Sequence, residues 1–335
     1  MGLKKDKAVE YRAKYGSEMP TLKLARLLYN ENKVLFTDVE DARKSLRYIE
    51  GKTGSSNRKH VTKLPTYMEQ ERPKNPYSIP KTWAKDKQVF TLPTGCNRVG
   101  VWSDPQIPFH DEVSIRCLIK WFQEMKINTL LINGDFVDNY NVSDYVKDPK
   151  YRNFVEEIDM AKEIFRWVRA ELPNVTIYYN MNANHELRWE RFLRMKAKEV
   201  FGFAEFQLEN MLKLNDYNVI PLKEYSHIMV GKLPILHGHT IFGRYSNTVS
   251  KAKTLFDKLK HSAMCSHVHI TDEFNTKDHV TGKMFTCWTT GCTMNLNVEY
   301  NEHGNQYNHG GAFIEVFKDG DYSVTNKRIL NGKIL

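Results

Sequence analysis

Five short stretches of this 335-residue chain gather acidic, carboxamide and imidazole side chains. They are Asp104 and Gln106 in Ser-Asp-Pro-Gln, Asp135 and Asp138 in Asn-Gly-Asp-Phe-Val-Asp, and Asn184, His185 and Glu186 in Asn-Ala-Asn-His-Glu. His237 and His239 follow in Leu-His-Gly-His, and His267 and His269 in Ser-His-Val-His. Mixed oxygen and nitrogen donors suit Mn, Fe, Zn or Ni rather than Ca or a sulfur-loving metal. One such group is common on any protein surface. Five of them, each just after a strand-like apolar run, point to a metal centre built at strand ends.

The elements that must position these residues are legible from Arg98 onward. Arg98 to Ser103 is β-rich, Glu112 to Lys126 an amphipathic helix, Thr129 to Asn133 a buried strand, Phe154 to Leu172 a second helix, and Val175 to Tyr179 a third strand. Alternation of this kind predicts right-handed β-α-β crossovers and a largely parallel sheet, with functional loops at the carboxyl ends of its strands. Ser226 to Val230 and Leu233 to His237 flank Gly231-Lys232 as a hairpin, Ala263 to Cys265 reads as a strand, and two more strands turn at Asp319-Gly320. Trp121, Phe122, Phe165 and Trp167 sit at helical spacing among apolar residues and are expected in the core.

The order of the motifs resembles that of the calcineurin-like metallophosphoesterase family: Asp-x-His, Gly-Asp-x-x-Asp, Gly-Asn-His-Asp/Glu, a lone His, and Gly-His-x-His. The resemblance covers roughly residues 98 to 328, and is similar to a phage- and bacteria-associated branch carrying a small N-terminal helical segment. It implies an α/β fold, a double β-sandwich flanked by helices. Two divalent cations, Mn foremost with Fe, Zn or Ni as alternatives, are implied with it. By motif position, Asp104, Gln106, Asp135 and His269 would hold one cation, and Asp135, Asn184, His237 and His267 the other, with Asp135 shared. The implied reaction is attack by metal-activated hydroxide, with His185 protonating the leaving oxygen and Asp138 orienting its imidazole. Glu186 and His239 would support from behind. Gln106 stands where the family has a histidine, and its carboxamide is a weaker ligand than imidazole. Ala183 and Ser266 replace glycines, so their loops must use ordinary dihedrals or carry strain.

Charge locates a second feature. Residues 1–95 carry 20 Lys+Arg against 11 Asp+Glu, whereas residues 96–335 carry 29 against 29, so the whole excess of +9 is N-terminal. Residues 20–51 read as two short helices, the second with a Thr37/Glu40 capping box and with Arg43, Lys44 and Arg47 on its outward face. A small basic helix-turn-helix-like module over residues 1–60 is therefore expected, with Lys52, Arg58 and Lys59 extending it. Residues 61–95, with Pro65, Pro73, Pro76, Pro80 and Pro93, read as an extended linker, leaving 96–335 for the catalytic domain.

Nucleic acid is the expected partner of the basic segment, and a homo-oligomer is an alternative use of it. No run of about 18 apolar residues and no signal peptide are read, so the expected location is the cytoplasm, the host's if the gene is phage-borne. Five cysteines without a CxxC pair predict reduced thiols. Three functions compete: a phosphodiesterase or nuclease on DNA or RNA, a phosphoesterase for small molecules or nucleotides, and a nucleic-acid-binding regulator with a weak or vestigial metal site. A Ser/Thr protein phosphatase fits less well, because Asn139 and Tyr140 follow Asp138, and Asn182 and Ala183 precede Asn184, where that branch has Arg-Gly.

Overall fold

The computed structural model describes residues 2–53, 75–144, 150, 153–243, 248–298 and 305–335. The chain divides into two compact units, Met1–Trp83 and Ala84–Leu335.

Among its described residues the first unit has three helices where the sequence predicts two: α1 (Gly2–Tyr15), α2 (Thr21–Glu31) and α3 (Val39–Ile49). Local pattern misses α1 because it is mostly polar, burying only Ala8, Tyr11 and Arg12. Arg12 is ion-paired with Glu50 and donates to the Met19 carbonyl at 2.7 Å, which ties α1 to the turns around it. Leu24, Leu28, Phe36, Ala42, Leu46 and Ile49 form this unit's own core. The cap of α3 is Asp38, whose carboxylate accepts from the Asp41 amide at 2.7 Å, and not Thr37 as the capping box predicts. Asp38 holds the extended backbone a cap needs, while the Thr37 amide donates to Asp41. Gly51, at φ 70°, stops the helix. The α2–α3 connection, residues 32–38, is longer than the three or four residues usual in a helix-turn-helix. Arg58, Lys59, Pro65 and Pro73 lie outside the described residues.

The second unit begins earlier than the sequence predicts. Gln88–Thr91 is a strand, β1, inside the segment expected to be linker. Local composition hides it, because Phe90 is held by remote aromatics: its ring lies 5.7 Å from Tyr178 and 5.1 Å from Tyr225. After it come β2 (Arg98–Trp102), α4 (Glu112–Glu124), β3 (Thr129–Ile132), α5 (Phe154–Glu171), β4 (Thr176–Asn180), α6 (Glu186–Lys196), β5 (Val219–Leu222), β6 (Tyr225–Val230) and β7 (Leu233–Leu236). The rest comprises α7 (Lys251–Leu259), β8 (Ala263–Cys265), β9 (Asp272–Lys277), β10 (Met284–Thr289), β11 (His309–Val316), β12 (Tyr322–Leu330) and β13 (Lys333–Ile334).

These strands form two sheets, ordered β1-β6-β7-β8-β10-β9 and β13-β12-β11-β2-β3-β4-β5. Strands β2 to β5 run parallel, as the β-α alternation requires, and β11 joins β2 antiparallel. Their near-continuous apolar character follows from burial on both faces. In β3, Leu130 and Ile132 pack under the helices with Leu118, Phe122 and Phe165, while Leu131 points between the sheets to meet Ile228, Ile235 and Met264. On the other sheet α7 covers Cys265 and Cys287 with Ala252 and Leu255. The result is a two-sheet sandwich with helices outside. Trp121, Phe122 and Phe165 are buried as predicted, and the five cysteines are free thiols.

Candidate metal centre

The ends of five strands converge. Asp104 follows β2, Asp135 follows β3, Asn184 follows β4, His237 follows β7, and His267 and His269 follow β8. Because β7 and β8 are parallel, as are β2, β3 and β4, each sheet presents its carboxyl ends together. Asn133 ties the two sets: its Nδ2 donates to the Leu236 carbonyl and to Ser266 Oγ, both at 2.8 Å, and its Oδ1 accepts from Asn180 at 3.0 Å.

The loops carry unusual backbone. Asp104, Gln106, Asp135, His267 and His269 all have φ between 47° and 68°. Left-handed conformations disfavour residues with a Cβ by roughly 1 kcal/mol or more each, so the surrounding fold must enforce them. Ala183 and Ser266, which stand in for glycines, keep ordinary dihedrals; the left-handed turn falls on His267 and His269 instead. Gly134 is indispensable in a different way. At φ 94°, a Cβ there would meet Ala183 Cβ at 2.3 Å and His237 Nδ1 at 2.8 Å.

All seven expected ligands come together, in two linked groups. In one, His269 Nε2 lies 3.2 Å from Asp104 Oδ1 and 3.3 Å from Gln106 Nε2, and the His267 amide donates to Asp104 Oδ2. The other places His237 Nε2 3.2 Å from Asp135 Oδ2 and 3.0 Å from Asn184 Oδ1, with the rings of His237 and His267 5.2 Å apart. His237 Nδ1 faces the Asn133 carbonyl at 2.8 Å, which turns Nε2 toward the cluster. His239 flanks the centre, its ring 5.5 Å from that of His237.

The electrostatics suit a cation. Burial alone would raise the Asp135 carboxyl, yet His185, His237 and His267 together hold it well below the usual carboxylate range. Burial opposes charge on His237, but the Asp135 carboxylate outweighs it and pushes the imidazole up to about 10. Without a cation, the buried carboxylate is thus balanced by a proton on His237, which metal binding would displace. Burial and the His237 charge take His267 down to about 4, leaving it neutral and able to ligate. His267 Nδ1 and His269 Nδ1 are buried without a hydrogen bond, and Asp135, His237 and His267 offer donor atoms within 4.8 Å of one another. Orphaned buried polar atoms are rare in proteins, and a divalent cation answers several of them at once. The donor set therefore fits the metals the motifs imply.

His185 and Asp138 lie beside this cluster. His185 Nε2 is 3.6 Å from Asp135 Oδ2, and its Nδ1 is 3.7 Å from Asp138 Oδ2. Burial lowers His185 to about 3. Glu186 points backward, accepting from the Asp135 and Phe136 amides and from the Tyr179 hydroxyl.

One expectation is corrected and one group has no local signal. Arg188, Arg191 and Arg194, spaced by three after His185, read from sequence as one helix face, either phosphate-facing or solvated, with the solvated reading favoured; the latter two do face solvent, near Asp144 and Glu190. Arg188 turns inward, with Nη1 2.8 Å from both the backbone oxygen and Oδ1 of Asp138. The available signal was its place one helical turn after His185. Tyr307 packs edge-on against His269 with ring centroids 4.7 Å apart, and no local pattern marks it. Asn308 Oδ1 accepts from the amide and hydroxyl of the distant Thr271, and the Asn308 amide donates to the His269 carbonyl at 2.9 Å; His303 is outside the described residues.

Fold and site together define a metal-dependent phosphoesterase. Residues 97–283 match the calcineurin-like phosphoesterase family, and the chain belongs to it. The Gene 54 protein of Mycobacterium phage L5 is 24% identical over 236 residues, covering 67% of this chain and 90% of that protein. The Gene 54 protein of Mycobacterium phage D29 is 23% identical over 235 residues, with the same shares. Among solved structures, Vps29 of Chaetomium thermophilum has 10% identity, 71% and 97% coverage and a TM-score of 0.31. YfcE, a phosphoesterase from E. coli, has 11% identity, 68% and 98% coverage and a TM-score of 0.28.

Proposed function

We propose that this protein is a two-metal phosphodiesterase acting on nucleic acid. The observation that carries the hydrolytic part is the convergence of Asp104, Gln106 and His269 with Asp135, Asn184, His237 and His267 in a buried cluster with unsatisfied ligand atoms. Asp104, Gln106, Asp135 and His269 would hold one divalent cation and Asp135, Asn184, His237 and His267 the other, Mn being the preferred ion. Bound there, such ions supply Lewis acidity that polarises phosphoryl oxygens and acidifies water near neutral pH.

The chain's own residues do the rest. Glu186 fixes the Asp135 loop from behind. Asn139 holds the His185 backbone by donating to its carbonyl at 2.8 Å. His185, neutral as burial leaves it, would protonate a leaving oxygen only after gaining a proton itself, a charge the neighbouring Asp135 carboxylate favours, and Asp138 lies on its other nitrogen.

The nucleic-acid part rests on charge. Of the N-terminal excess, residues 1–53, which hold the helices and their own core, carry 12 Lys+Arg against 8 Asp+Glu and residues 54–95 carry 8 against 3; Arg43, Lys44 and Arg47 lie outside that core. A cationic module on an otherwise balanced chain favours a polyanionic substrate.

The test is Mn²⁺-dependent hydrolysis of bis-p-nitrophenyl phosphate and of labelled single- and double-stranded DNA. Wild type should cleave both kinds of substrate. His185→Ala should lose turnover while keeping its metal, and Asp135→Asn should lose metal as well. Cleavage of the small diester alone would move the assignment to a small-substrate esterase, and inactivity of metal-loaded wild type would leave a nucleic-acid-binding regulator.

A further inference from the structure

Arg188 occupies a position the ligand set leaves without a purpose. It sits on α6 three residues after His185, with its side chain only 16% exposed. Its Nη1 donates twice to Asp138, and its Nη2 lies 3.0 Å from His185 Nε2. The same imidazole nitrogen is 3.6 Å from Asp135 Oδ2. The guanidinium therefore stands at the edge of the metal-ligand cluster, against the nitrogen nearest the shared carboxylate.

Two contacts from one nitrogen to a buried aspartate fix the plane of a guanidinium. A partly desolvated cation held rigidly in this way is prepared to meet an anion. Of these contacts, the one to His185 is weaker than the one to the Asp138 carboxylate, because a ring nitrogen is a poorer partner for a guanidinium than an anionic oxygen. Charge-assisted hydrogen bonds to phosphate are about twice as strong as neutral ones.

We propose that Arg188 is the phosphate-contacting arginine of this site: anchored on Asp138 through Nη1, it exchanges the His185 contact of Nη2 for a phosphoryl oxygen of the substrate. Binding of the phosphate then frees His185 Nε2, which carries no proton while it accepts from Arg188, to take a proton from solvent and pass it to the leaving oxygen. The sequence lacks the arginines that follow Gly-Asp-x-x-Asp and precede Asn-His-Glu in protein phosphatases; Arg188 supplies the same charge from the helix behind the loop.

This inference rests on the phosphoesterase reading, and its test separates the two. Inorganic phosphate binding to the Mn²⁺-loaded full-length protein is measured by titration calorimetry for wild type, Arg188→Ala and Arg188→Gln, with metal content determined for each. KM and kcat for bis-p-nitrophenyl phosphate are measured in parallel. Both variants should keep their metal, bind phosphate roughly 10- to 100-fold more weakly and show raised KM. Arg188→Gln retains a donor for the Asp138 carbonyl and carries the test if Arg188→Ala does not fold. Phosphate affinity within twofold of wild type, with only kcat reduced, would overturn the proposal and leave Arg188 as a prop for Asp138. Arginine-dependent phosphate binding without ester hydrolysis by wild type would instead uphold Arg188 and remove the phosphoesterase reading.

Discussion

Glu186 binds the backbone of Asp135 directly: Oε2 accepts from the Asp135 amide at 3.0 Å and Oε1 from the Phe136 amide at 2.8 Å. Burial raises this carboxyl to about 7, and the Tyr179 hydroxyl completes its shell at 2.5 Å. One residue beyond His185, a helix start thus fixes the loop that carries Asp135.

Glu186→Ala would leave two amides and a hydroxyl buried without partners. Each such group destabilises by about 1–3 kcal/mol. The variant should melt well below wild type and bind Mn²⁺ about 10- to 100-fold more weakly. Differential scanning calorimetry and metal titration check both effects, and wild-type metal affinity would count against a supporting role.

Gly134→Ala tests the closeness of the strand ends. The added methyl would overlap Ala183 and the His237 ring in a backbone conformation hostile to a Cβ. A loss of about 2 kcal/mol or more in chemical denaturation, together with weakened metal binding, is expected. Serine at the same position should fare no better.

Glu157 sets a pH dependence that avoids the metal ligands. It is buried on α5 and accepts from the Asn139 amide. Burial, reinforced by the Asp138 charge, raises it to about 8 despite the hydrogen bonds it accepts. The folded state therefore holds a proton that the unfolded chain has released above its ordinary value near 4.5. Stability should be greatest at the acid end of that window, fall by up to about 1.4 kcal/mol per pH unit through it, and level off above pH 8. Denaturation midpoints between pH 5 and 8.5 should fall less steeply in Glu157→Gln than in wild type. Identical slopes would exclude Glu157 as the source.

Salt dependence tests the basic unit. Replacing Lys44 and Arg47 by alanine should weaken DNA binding by the full-length protein and lower the slope of log K against log salt by up to about 2. An unchanged slope would assign these charges to solvent.

The sequence by itself determined the candidate ligand set and most of the frame around it. Asp104, Asp135, Asn184, His237, His267 and His269 are recognisable as candidate ligands because such donors at strand ends come in short motifs, each a local signal of donor type after an apolar run. The β-α alternation around them predicts a parallel sheet for the same reason, since burial on both faces leaves its mark in consecutive residues.

Only the tertiary structure decided what depends on distant partners. Strand β1 exists because Phe90 meets Tyr178 and Tyr225, and α1 because Arg12 finds Glu50. Arg188 and Arg191 are alike in sequence, three residues apart on one helix, yet one reaches Asp138 and the other faces solvent. Their difference lies in what stands opposite each side chain, and a helix's own periodicity carries no information about its neighbour.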